Sequence, residues 1–124
     1  MELSAFAPKD TVELAILDPR DGKPTDVTFT LAGPAHPVRQ AATRALLDGM
    51  GAAEGEAETP PEKLRDLNTD YLAACVLGWQ GLTRDSQALP HSLDEAKALL
   101  GDPRFVMIRS QVDRAMGDNR RFFD

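Results

Sequence analysis

Two short segments of alternating polarity constrain this chain more than any other feature. Thr11 to Leu17 reads T-V-E-L-A-I-L and sets Val12, Leu14 and Ile16 on one side of an extended backbone. Further on, Val27, Phe29 and Leu31 alternate with Thr28 and Thr30. Between the two, Asp18, Pro19, Asp21, Gly22 and Pro24 concentrate turn chemistry, because proline presets φ and glycine accepts positive φ. The pair predicts an N-terminal β-hairpin with a longish loop and one apolar face. A lone hairpin is only marginally stable in water, so other parts of the chain or a partner must cover that face.

The rest reads as helix. Pro34 and Pro37 end the extended region, and Val38, Ala41, Ala42, Ala45, Leu46 and Met50 recur at helical spacing until Gly49 and Gly51 close the element. Residues 51–61, G-A-A-E-G-E-A-E-T-P-P, are small and acidic, which is linker composition. A second helix is expected from Pro61 with Thr59 as its cap, carrying Leu64, Leu67, Tyr71, Cys75 and Trp79 over about 30 Å. Thr83 to Ser86 form a polar turn. Ser92 and Glu95 then make an S-x-x-E capping box for a short helix, Leu93 to Leu100, which Gly101 ends. Asp102 and Pro103 start a last helix with an apolar stripe of Phe105, Ile108, Val112, Ala115 and Met116, followed by a short tail, Asn119 to Asp124. The expected fold class is α+β, mostly helical, with the N-terminal β-hairpin followed by four helices in one domain of 124 residues. Within it, the hairpin and first helix take residues 1–50 and the C-terminal helical part takes 62–124.

Charge and cysteine usage narrow the function. A net charge of -6 argues against nucleic-acid binding, which needs clustered Lys and Arg to displace counterions. The locally basic end, Arg109, Arg114, Arg120 and Arg121, is interleaved with Asp113, Asp118 and Asp124, the pattern of a solvated mixed face. No apolar run is long enough for a membrane helix, and Met1 to Phe6 lacks signal-peptide features, so a soluble intracellular protein is expected. Cys75 is the single cysteine, which rules out an internal disulfide and a cysteine-based zinc site.

Candidate chemistry is sparse. His36 and His91 each sit beside a proline in a predicted loop, without a metal-ligand partner at a recognised spacing, and read as exposed loop histidines. Cys75 falls on an apolar stripe, where cysteine behaves as a small hydrophobe. There is no G-x-G-x-x-G, P-loop or nucleophile elbow, and the carboxylates form no acid/base constellation. The expectation is a non-enzyme with no cofactor and no metal. One segment stands out, Gly78-Trp79-Gln80-Gly81-Leu82, which holds the sole Trp. Trp79 admits two readings: a core plug beside a helix end, or the lining of a groove for a partner.

From Asp70 to Val112 the order is an apolar helix running into G-W-Q-G-L, an acidic turn T-R-D-S, a proline, a capped S-L-D-E-A helix, then D-P-R-F and another apolar helix. With the hairpin and the helix V-R-Q-A-A-T-R before it, this chain resembles the tail assembly chaperones of long-tailed bacteriophages. It departs from them where relatives often carry Asp-Gly and this chain has Asp85-Ser86. The resemblance implies a helper in the cytoplasm of the bacterial host that binds the tape measure protein, together with the tail tube subunit, and is not kept in the mature virion. Tyr71, Trp79, Phe105, Ile108 and Val112 are then the candidate partner-binding residues, as an apolar surface that shelters a client helix. Two other classes compete: a structural tail or head-tail connector subunit whose hairpin adds to its neighbours' sheets, and a small acidic inhibitor or regulator of another protein. Self-association through the Trp-bearing helix stays open.

Overall fold

The alternating segments form the strands they predict. In the computed structural model, which describes residues 1–51 and 60–123, β1 (Thr11–Leu17) and β2 (Pro24–Ala32) pair antiparallel. Val12 lies opposite Leu31 and Leu14 opposite Phe29, so the apolar faces coincide, and Leu14, Ile16, Phe29 and Leu31 are all buried. The connecting turn closes on Asp18, whose N–H donates to the Lys23 carbonyl at 2.8 Å and whose carbonyl accepts from Gly22 N–H at 2.7 Å. The Arg20 guanidinium folds back onto the Asp18 carboxylate at 2.7 Å.

Among the described residues four helices follow the hairpin: α1 (Pro37–Gly51), α2 (Pro61–Cys75), α3 (Leu93–Gly101) and α4 (Val106–Gly117). The architecture is α+β. His36, expected as an exposed loop residue, is half-buried, and its Nδ1 accepts the Val38 N–H at 3.1 Å at the start of α1. The acidic linker, with Thr59 as cap, falls on residues 52–59, outside those described; Pro60 occupies the N-cap of α2.

The second helix is shorter than its stripe predicts. It ends at Cys75 after 15 residues, about 22 Å at the usual rise, and Val76–Gln80 is a strand, β3, paired antiparallel with the second edge of β2. The sheet order is β1-β2-β3, with Trp79 opposite Phe29. The three-to-four spacing continues through Trp79 although the helix ends at Cys75. What decides for a strand is the unpaired edge of β2, a non-local demand that local spacing does not register. The expected polar turn is a small hairpin of β4 (Thr83–Arg84) and β5 (Gln87–Ala88), in which Asp85 and Ser86 both adopt positive φ, 52° and 66°.

Half of the capping box forms. Ser92 Oγ accepts the Glu95 N–H at 3.0 Å, while the Glu95 carboxylate turns instead to Arg84 at 3.2 Å. Asp102 caps a 3₁₀ turn, Pro103–Phe105, before α4 begins at Val106. The expected tail is structured: Asn119–Phe122 is a 3₁₀ turn that plants Phe122, fully buried, in the core. Lys9 N–H donates to the Phe122 carbonyl at 2.7 Å, which ties this turn to the start of β1.

One cluster of buried side chains joins the sheet to the helices, with Phe29, Leu31, Val76, Leu100, Val112 and Phe122 fully enclosed. Arg109, read from sequence as part of a solvated basic end, binds inward. Its guanidinium donates to Thr69 Oγ1 and to the Leu100 carbonyl at 3.1 Å, linking α2, α3 and α4. Thr69 is the one buried polar side chain among the described residues, so this arginine satisfies a hydroxyl that would otherwise lack a donor in the core.

Candidate partner-binding groove

Small side chains on α1 leave room between it and its neighbours. Ala42, Ala45 and Leu46 of α1, Leu67, Tyr71 and Ala74 of α2, and Leu93 of α3 line a predominantly apolar groove of about 290 Å³. Asp70 and Lys97 also line it and pair across α2 and α3 at 3.7 Å. Leu93 is 48% exposed, and Leu47 and Met50 on α1 stay open to solvent as well. The two long helices approach closely at Gly49, where an added Cβ would come 2.5 Å from Leu67 Cδ2.

Tyr71 is held by a cation. Its hydroxyl accepts from Arg39 Nε at 3.2 Å, while Arg39 also donates to the Met116 carbonyl at 3.0 Å and lies 5.4 Å over the Phe122 ring. Arg39 on α1 therefore joins the groove to the C-terminal turn. One helical turn beyond Tyr71, Cys75 is fully buried, and burial pushes its thiol up to about 11. At neutral pH it is a packed, protonated side chain.

The five residues expected to form one surface are dispersed. Tyr71 lines the groove. Trp79 does not: its ring packs on Phe29 with centroids 5.6 Å apart, Nε1 donates to the Leu89 carbonyl at 2.9 Å, and the His91 ring meets it edge-on at 4.8 Å. His91, expected to be exposed, is half-buried, with Nε2 at 3.0 Å from the Val76 carbonyl. Trp79, half-buried, thus clasps β3 to the segment before α3. Phe105 is half-buried under the Arg104 guanidinium. Ile108 lines a separate apolar hollow of about 330 Å³ with Ile16, Leu17, Val27 and Leu82. Val112 is fully buried and cannot meet a partner, because the stripe of α4 is taken up by the core on that side.

In the sequence Ala42, Ala45 and Leu46 stand out only as residues recurring at helical spacing. The signal for a groove was the run of alanines, too small to fill the space between α1 and α2. Among the described residues no group of three or more His, Cys, Asp or Glu side chains is placed to hold a metal ion, and no helix is long and apolar enough to cross a membrane. Comparison of the chain with protein-family models, with curated proteins and with solved structures finds no match.

Proposed function

We propose that this protein is a tail assembly chaperone of a long-tailed phage or prophage, acting in the host cytoplasm by binding the tape measure protein, together with tail tube subunits, and leaving before the virion is complete. The reading rests on the motif order from Asp70 to Val112 and on one structural observation, the open apolar groove bounded by α1, α2 and α3. A tape measure protein is long and helical, and its apolar faces aggregate until the tube encloses them. A groove of this kind takes one face of such a helix by its i, i+3 and i+4 anchors, and the acidic exterior opposes self-association. The chain works by binding and not by catalysis.

Co-expression with tape measure fragments tests this. The fragments become soluble and co-purify with the native chain, and Ala45→Glu, which sets a charge in the groove at an exposed position, loses the effect. Unchanged solubility of every fragment overturns the reading. Finding the chain in purified particles by mass spectrometry would favour a structural subunit instead.

A further inference from the structure

The sheet has an open side. β2 is paired on both edges, whereas β1 has a neighbour only in β2. Both ends of its outer edge are nonetheless engaged. Just before the strand, Lys9 N–H donates to the Phe122 carbonyl. At its far end, Leu17 N–H donates to Gln111 Oε1 at 2.7 Å and the Leu17 carbonyl accepts from Gln111 Nε2 at 3.0 Å. One carboxamide that both accepts from and donates to a single residue does what the peptide group of an adjacent strand does. Between these ends, no backbone hydrogen bond runs outward from Thr11–Ile16 among the described residues.

Beside this edge lies a trough of about 380 Å³, walled by Glu13, Leu14 and Leu17 of β1 and by Gln111, Arg114 and Arg121 opposite. The chain carries a net charge of -6, yet neither arginine has a carboxylate partner among the described residues. Among the described residues that line the trough the one acidic side chain is Glu13, which accepts from Thr30 Oγ1 at 3.0 Å. A strand edge left open among the described residues, beside two cations with no carboxylate partner among them, complements an extended segment rich in carboxylates.

We propose that the outer edge of β1 is a docking site for an extended acidic segment of a partner protein, which adds to the sheet as a further strand while its carboxylates engage Arg114 and Arg121. Main-chain bonds supply the binding and the two arginines select the charge. A second copy of this chain fits less well, since edge-to-edge pairing would double the arginine charge at one interface. The site is separate from the apolar groove and stands independently of the chaperone reading.

The test is fluorescence anisotropy with labelled ten-residue peptides at low salt: alternating Val-Glu, alternating Val-Lys, and a Val-Glu peptide with prolines replacing every second valine. The native chain binds only the uninterrupted acidic peptide. Arg114→Ala with Arg121→Ala weakens it about tenfold, as two exposed ion pairs would. Arg114→Glu with Arg121→Glu, which changes only exposed positions, moves the preference to the Val-Lys peptide. Equal binding of the proline-bearing peptide overturns strand addition, and unchanged affinity in the alanine variant overturns the role of the arginines. No binding of the acidic peptide, or self-association of the native chain abolished by the same substitutions, also overturns the proposal.

Discussion

Trp79 and Phe29 face each other across β3 and β2, with ring centroids 5.6 Å apart and planes tilted by 37°. This pair anchors the strand to the sheet, and the Trp79 Nε1–Leu89 bond fastens the following segment to it. Trp79→Ala is expected to cost about 2–3 kcal/mol, somewhat below a fully buried aromatic truncation. Trp79→Phe keeps the ring contact, gives up the hydrogen bond, and costs about 1 kcal/mol. Urea unfolding followed by far-ultraviolet circular dichroism measures both, and equal losses would remove the distinction between ring and hydrogen bond.

Arg109 is expected to matter for stability more than any other cation on α4. Arg109→Ala strips Thr69 Oγ1 and the Leu100 carbonyl of their charged donor, at about 1–3 kcal/mol. Arg109→Lys recovers less than half, because a single ammonium cannot reproduce the planar fork. Thermal unfolding of the two variants checks this; a wild-type midpoint for Arg109→Ala would show that water replaces the guanidinium at no cost.

The turn between β4 and β5 places two non-glycine residues at positive φ. A side chain there strains against its own backbone by about 1 kcal/mol, so Ser86→Gly is expected to raise stability by about 0.5–1 kcal/mol, and Ser86→Val to lower it. Differential scanning calorimetry reads the sign. An Asp-Gly pair is the sequence such a turn favours.

Asp18 titrates low. The Arg20 side chain bonded to its carboxylate, with the Arg20 N–H, draws its pKa down to about 2. A carboxylate depressed in the folded state contributes stability that is present above its unfolded value, near 4, and lost as pH falls toward 2. Side-chain carbon shifts across an acid titration should place Asp18 at the bottom of the carboxylate range. Arg20→Ala should move it back up; a titration unaltered by that change would contradict the assignment.

Where the chain announced its own structure, it did so through local rules. The hairpin register follows from alternation at Leu14 and Phe29, and the start of α3 from Ser92 and Glu95, because in both cases a neighbour in sequence supplies the partner. β3 was hidden, since Val76 to Gln80 becomes a strand only because β2 offers an edge far away in sequence. The same limit governs the groove. Tyr71 was legible as an apolar stripe residue with a polar tip, but periodicity cannot tell which layer a stripe meets, and so Val112 of the core and Ile108 of another hollow were grouped with it. Arg39, which holds Tyr71, carries no local signal of that task, because its partners come from α2, α4 and the C-terminal turn.

The close approach at Gly49 sets helix strength against the shape of the groove. An alanine there favours the helix by about 1 kcal/mol, yet its methyl displaces Leu67, and Leu67 is part of the apolar lining. A sturdier α1 would come with a reshaped cleft, so the residue that weakens the helix also preserves the outline of the recess.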